Sequence, residues 1–249
     1  MLYCETELGK LYKGDCLEVM DKLIEKGVKV DAIITDPPYG TVKCKWDSVI
    51  NFEEMWKRLK SLRKDNTPIV LFGGEPFASQ LRVSNIKEYK YDWVWEKSKA
   101  TNFLNAKKQP LRAYENVCVF YKKPCVYKPQ MTKGKSYNKG IRKEQTKDDV
   151  YGDFKPVEIK SEGARYPRNV LYYKTAESEG KTFHKTQKPL ALMEYLVKTY
   201  TNEGDIILDF TSGSGSTAVA CENTNRKWIC IEKEEKYCEI HKNRMWVNK

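Results

Sequence analysis

Short continuous apolar runs alternate along the chain with longer stretches of helical repeat. The runs fall at residues 32–35, 68–72, 204–210 and 227–231, and each is bounded by Gly, Pro or an acid. Such runs fit strands covered on both faces, as in a parallel sheet. Between them, Leu17, Met20, Leu23 and Ile24 repeat at helical spacing up to Gly27, and Phe52, Met55, Trp56 and Leu59 oppose Lys57, Arg58 and Lys60. Pro76 opens a helix with Phe77, Leu81 and Val83 on its apolar side, and Pro189 opens another with Leu190, Leu192, Met193, Leu196 and Val197. A last amphipathic helix carries Tyr237, Ile240 and Met245. Strand and helix in alternation predict an α/β fold with a mostly parallel, Rossmann-like sheet and right-handed crossovers. Residues 91–95 and 116–121 lack room for a crossover helix between them and are expected to pair antiparallel. Residues 5–14 read as one strand or two ending at Gly14-Asp15, and residues 41–50, without a period, as a loop over the mouth of a site.

Composition changes this picture at one place. The 249 residues carry a net charge of +11 with 12% aromatics, a pairing suited to a polyanion whose bases can be stacked upon. Between residues 122 and 174 there are fourteen Lys or Arg against six Asp or Glu, interleaved with Tyr127, Tyr137, Tyr151, Phe154 and Tyr166. We read three segments: 1–121, a small basic insertion at 122–165, and 166–249. Lys133, Lys135, Lys139, Arg142 and Lys143 are the candidate nucleic-acid-contacting residues of the insertion. Eight cysteines stand singly and there are only two histidines, so no metal site is expected and the thiols fit a reducing cytoplasm. No apolar run approaches membrane-spanning length, and a soluble cytoplasmic protein without a membrane partner is expected.

Two motifs carry chemistry. The strand ending at Asp209-Phe210 runs into Thr211-Ser212-Gly213-Ser214-Gly215-Ser216-Thr217 and a helix, and the next strand ends in Glu232, placed where a carboxylate can accept from ribose hydroxyls. The loop lacks the third glycine of a dinucleotide fingerprint and the lysine of a phosphate loop, which favours a nucleoside cofactor without a pyrophosphate. The other motif, Asp36-Pro37-Pro38-Tyr39, ends an apolar strand with an acid and a ring. An exocyclic base amine is a poor nucleophile because its lone pair is delocalised. Two acceptors that hold both its hydrogens favour the pyramidal form and aim the lone pair. The Asp36 carboxylate and the Pro37 carbonyl can be those acceptors, and Tyr39 can stack on a base drawn out of a duplex.

Taken together, Asp36-Pro37-Pro38-Tyr39, His184-Lys185-Thr186-Gln187-Lys188-Pro189, residues 208–217 and Arg226 to Glu232 with Tyr237 and Arg244 resemble the β class of S-adenosylmethionine-dependent DNA amino-methyltransferases. In that class the catalytic motif precedes the cofactor loop. The resemblance implies a permuted, seven-stranded methyltransferase sheet with one antiparallel strand, and a basic target-recognition insertion. It implies catalytic roles for Asp36, Pro37, Pro38 and Tyr39. It also implies S-adenosylmethionine held by Asp15, Cys16, Asp36, His184, Lys188, Asp209, Thr211, Gly213, Ser214, Gly215, Ser216 and Glu232, with S-adenosylhomocysteine as product. His184 and Lys188 would approach the methionine carboxylate.

The implied reaction is methylation of the N6 amine of adenine in DNA, because Asp at the first motif position usually goes with adenine and Ser with cytosine. The alternatives are cytosine N4, RNA, a protein glutamine, or a DNA-binding module without catalysis. DNA is the implied partner, in a bacterial or phage-encoded protein, and the class admits a homodimer and a cognate restriction enzyme. Two positions depart from the pattern: Lys185 stands where Pro often follows the His, and Thr211 where a second Phe is common, so that Thr211 would pack by its methyl. Glu115-Asn116-Val117 and Pro124-Cys125 imitate pieces of cytosine C5 enzymes in the wrong order, which makes Cys125 an incidental thiol. His241, among Lys242, Asn243 and Arg244, reads as a solvated surface residue.

Overall fold

The computed structural model describes residues 1–41, 47–141, 157–180, 182–183 and 186–246. It divides into two compact units, one of Met1–Lys128 with Asn169–Lys249 and one of Pro129–Arg168. In the larger unit the chain runs β1 (Leu2–Glu5), β2 (Gly9–Lys13), α1 (Cys16–Glu25), β3 (Ala32–Thr35), α2 (Phe52–Leu62), β4 (Ile69–Gly73), α3 (Phe77–Ser84), β5 (Tyr89–Thr101) and β6 (Arg112–Phe120). The smaller unit holds β7 (Thr132–Lys133), β8 (Tyr137–Ile141), β9 (Glu158–Ser161) and β10 (Ala164–Arg165). The larger unit resumes with β11 (Val170–Tyr173), α4 (Ala176–Glu179), α5 (Leu190–Tyr200), β12 (Ile206–Asp209), α6 (Ser216–Asn223), β13 (Lys227–Glu232) and α7 (Glu235–Trp246).

Nine strands form one sheet in the order β1-β2-β13-β12-β3-β4-β6-β5-β11. The expectation of seven is corrected by two edge strands: β1, which folds back antiparallel on β2, and β11, which adds parallel to β5. Both are short and half-exposed, so neither carries the continuous apolar run of an interior strand. Between them β6 is the reversed strand, antiparallel to β4 and to β5, as the short spacing between residues 95 and 116 requires. Residues 5–14, left open between one strand and two, contribute the end of β1 and all of β2.

The runs are continuous because both faces are covered. On β3 and β4, Ile33, Ile69 and Leu71 join Val19, Met20, Leu23, Met55, Leu59 and Phe77 from α1, α2 and α3. The alternate residues Ala32, Ile34, Val70 and Phe72 join Leu192, Leu196, Val197 and Ala218 from α5 and α6. Helices enter by caps: Asp15 accepts from Leu17 N at 2.9 Å, and Asn51 from Glu54 N at 3.1 Å. Two expected faces are corrected. Val83 is 73% exposed, because α3 ends one residue later and its buried side is formed by Phe77, Ala78 and Leu81. His241 is fully buried, for a reason that belongs to the site. The expected loop at 41–50 falls partly on residues 42–46, outside the described residues. No helix among the described residues is long and apolar enough to cross a membrane, and no described group of His, Cys, Asp and Glu could hold a metal.

One close approach fixes β13 against β2. Trp228, 1% exposed, lies on Gly9, where an added Cβ would come within 2.1 Å of the indole. Gly9→Ala is therefore expected to destabilise the protein by about 1–3 kcal/mol through overpacking. Urea unfolding of the two proteins measures it, and equal midpoints would show that the ring relaxes freely.

Candidate active site

The carboxyl ends of β3 and β12 lie side by side because the two strands pair in parallel, Leu208 opposite Ile33. Asp36 follows β3 directly and Asp209 ends β12, so residues far apart in sequence meet at one sheet edge. Hydroxyls join the two ends. Thr35 donates to Asp209 Oδ1 at 2.5 Å, and Thr217 donates to Asp209 Oδ2. Thr211 Oγ1 lies 2.7 Å from Thr35 Oγ1 and donates to the Asp36 carbonyl at 3.1 Å. The Thr211 hydroxyl thus links the two loops. Burial pushes the Asp209 carboxyl up to about 6, against the pull of these hydrogen bonds.

The glycine loop needs its glycines for two reasons. Gly213 and Gly215 have φ of +51° and +81°, and a Cβ on Gly215 would fall 2.6 Å from the His241 ring. His241 thus fills the space beneath the loop, tilted on Trp228 with centroids 5.4 Å apart, and its Nδ1 lies 3.4 Å from Ser212 Oγ. Neighbouring basic residues suggested an outward face for this helix, but the missing side chain of Gly215 turns that face into a seat. Arg244, one turn on, donates to Ser214 O at 2.7 Å, and Ser214 Oγ donates to Gln187 at 3.2 Å. Glu232 closes the loop from the other side, accepting from Gly213 N and Glu234 N, each at 2.8 Å.

A cleft of about 610 Å³ runs along this edge. Asp15, Cys16, Asp36, Pro37, Pro38, Tyr39, Lys188, Asp209, Thr211, Gly213, Ser214, Ser216 and Glu232 all line it. Gly215 lies behind the loop, against His241. His184 lies outside the described residues, as do Arg142 and Lys143. Lys133, Lys135 and Lys139 belong to the smaller unit, where Lys139 and Arg165 lie over the Tyr137 ring at 5.1 and 4.6 Å.

At the Asp36 end the site is a buried set of charges. Tyr39 Oη donates to Asp36 Oδ1 at 2.5 Å, and the Lys188 ammonium pairs with Oδ2. Phe77 backs the Tyr39 ring at 4.9 Å. Lys188, 8% exposed, also lies 3.4 Å from Glu115 Oε2, and Lys97 lies 3.3 Å from Glu115 Oε1. Burial raises the Asp36 carboxyl while the Lys188 cation opposes it. Burial would lower Lys188, but Asp36 and Glu115 overcome it and hold the ammonium above its usual range. Thr35, Lys97, Gln187 and Thr217 were not anticipated, and Glu115 was read only as a misplaced motif. Of these only Thr35 carried a signal, as a polar residue at the carboxyl end of a buried strand.

Residues 30–243 match the family model described as DNA methylase, of the N6/N4 type. The chain belongs to that family, the S-adenosylmethionine-dependent DNA methyltransferases that act on base amines. Among curated relatives, it is 26% identical to the Type II methyltransferase M2.MboI of Moraxella bovis, across 94% of this chain and 86% of that protein. It is 26% identical to M.BamHI of Bacillus amyloliquefaciens, across 98% of this chain and 58% of that one. The solved M1.HpyAVI–SAM complex superposes with a TM-score of 0.66 at 28% identity, covering 95% of this chain and all of the other. PvuII DNA methyltransferase, named as cytosine-N4-specific, shares the fold with a TM-score of 0.67 at 18% identity, covering 98% of this chain and 88% of its own.

Burial, with Arg244 adding to it, pushes His241 down from 6.5 to about 3. The unfolded chain binds this proton below pH about 6.5 and the folded one does not, so the stability His241 contributes is complete above that pH and falls as pH drops toward 3. The loss is about 1.4 kcal/mol per pH unit from this residue. An NMR titration is expected to show flat His241 ring resonances from pH about 8 down to about 5, and a midpoint near 6.5 would place the ring in solvent.

Proposed function

We propose that this protein is a site-specific DNA methyltransferase that transfers the methyl group of S-adenosylmethionine to the N6 amine of adenine. What carries the reading is the hydrogen-bonded junction of the Asp36-Pro37-Pro38-Tyr39 turn with the Asp209–Thr217 loop, which sets an amine-holding acid beside a nucleoside-binding loop. The choice of adenine rests on Asp, and not Ser, at position 36. Cytosine N4 is the second reading, favoured by the shared fold with a cytosine-N4-specific enzyme.

The residues present suit the cofactor. The Glu232 carboxylate accepts from the Gly213 and Glu234 N–H groups, keeps lone-pair capacity for ribose hydroxyls, and belongs to a residue that lines the cleft. Asp15 and Cys16 line the same end, and the loop from Thr211 to Ser216 supplies backbone that a ligand can approach closely. When bound, S-adenosylmethionine supplies a methyl group on a sulfonium leaving group. Asp36 and the Pro37 carbonyl accept the two amine hydrogens and aim the lone pair, so that displacement proceeds in line without a covalent enzyme intermediate, and the methylated amine then gives up one of its two hydrogens as a proton to solvent. Proline at 37 and 38 stiffens the turn, and Tyr39, fixed by Phe77, offers a stacking surface for the extruded base. Lys133, Lys135 and Lys139 contact phosphates. A bacterial or phage cytoplasm and a cognate restriction enzyme accord with the Type II names of the relatives.

Asp36→Ala is expected to retain S-adenosylmethionine binding by calorimetry and to lose methyl transfer by a factor of about 10³ or more. Full activity in this variant would remove Asp36 from the chemistry. Offering duplex DNA, single-stranded DNA, RNA and protein side by side, with modified bases identified by mass spectrometry, separates adenine N6 from the alternatives.

Charge reversal at Lys133, Lys135 and Lys139 is expected to weaken DNA binding and to reduce the slope of log K against log salt by about one for each contact removed. An unchanged slope would place the DNA surface elsewhere.

A further inference from the structure

The reaction proposed above asks Asp36 to accept from a base amine, yet both of its carboxylate oxygens already have donors. Tyr39 holds Oδ1, and the Lys188 ammonium holds Oδ2. A carboxylate oxygen can take a second donor, but an ammonium held this closely competes with the amine for Oδ2 and draws on its charge, so the amine gains the full strength of Oδ2 only as the ammonium gives ground. Lys188 is 8% exposed and its charge lies 5.2 and 5.8 Å from the Phe72 and Tyr39 ring centroids, so water is a poor alternative partner. A buried ammonium drawn away from Asp36 with no second acid in reach would be left uncompensated.

A receiving group stands beside it. Glu115, on β6, is pinned through Oε1 by Lys97 at 3.3 Å. Its other oxygen, Oε2, is buried, makes no hydrogen bond among the described residues, and lies 3.4 Å from Lys188 Nζ. That separation is an ion pair short of hydrogen-bond contact, and a shift of a few tenths of an ångström closes it. Lys97, Glu115, Lys188 and Asp36 comprise two cations and two anions, so the ammonium moves between the acids with no change in buried charge.

We infer that Glu115 is a positioning residue that receives the Lys188 ammonium from Asp36, so that Asp36 Oδ2 is freed for the substrate amine. Lys97 fixes Glu115 on the far side. This rests on Asp36 being the amine acceptor. It assigns to the polar residues at this end of β5 and β6 a part in turnover that the acceptor motif alone does not supply. No bond is made or broken, and one donor replaces another on a carboxylate that stays ionised.

The test is the single-turnover rate of methyl transfer in Glu115→Gln, which keeps the shape and removes the charge. The rate is expected to fall about tenfold or more. The dissociation constants for S-adenosylmethionine and DNA and the melting temperature should stay near wild type. In a Lys188→Met background the same substitution should cost little, because Glu115 acts through Lys188. A wild-type rate in Glu115→Gln overturns the inference. So does a loss that appears in binding or melting and leaves the rate unchanged, or an equal loss in both backgrounds. Should Glu115→Gln fail to fold, Glu115→Asp takes its place: the acid withdraws by one methylene, and a rate equal to wild type again overturns the assignment. An inactive Asp36→Ala beside a fully active Glu115→Gln leaves the acceptor standing and removes only the receiver, whereas an active Asp36→Ala removes both.

Discussion

The parallel pairing of β12 with β3 is the constraint on which the site depends. Ladder hydrogen bonds between two strands set their ends at a fixed spacing, and here those ends are Asp36 and Asp209. Neither loop could carry the proposed chemistry alone: one has an acid and no cofactor cradle, the other a cradle and no acceptor. The hydroxyls of Thr35, Thr211 and Thr217 turn that backbone spacing into side-chain geometry by tying Asp209 and the Asp36 carbonyl together. Satisfied buried hydroxyls of this kind stiffen a site, because breaking one leaves an acceptor without a donor in a place water does not reach.

The second support comes from the far side of the glycine loop. His241, Trp228 and Arg244 occupy the space and the carbonyls that the loop presents away from the cleft. Helix α7 thus serves the loop as a floor. The glycines are needed here for the absence of a side chain as much as for their backbone freedom, since a methyl at position 215 would occupy the place of the imidazole.

How much of this was legible in the sequence follows from how local each signal is. Asp36-Pro37-Pro38-Tyr39 and the Asp209–Thr217 loop are each written in consecutive residues, and the apolar runs before them announce buried strands. Glu115 and Lys97 could not be found that way. They face one another across β5 and β6, and both fall just outside the apolar runs at 91–95 and 116–121, in the polar stretch between them. His241 misled for a related reason: its helix neighbours are basic, and the partner that buries it is a missing atom on a glycine 26 positions earlier. The strand count was off because β1 and β11 are short edge additions without a buried pattern.

The chain carries two populations of charge that respond to their surroundings differently. Lys188 and Lys97 are enclosed with Glu115 and Asp36, two cations against two anions, so mobile ions in solution scarcely reach them. Among the described residues of the smaller unit, Lys133, Lys135, Lys139 and Lys160 are exposed, where counterions compete for the charge. Under the proposed function, ionic strength acts on this protein as a control on encounter with a polyanion, while the events inside the cleft proceed in an environment that salt leaves nearly untouched.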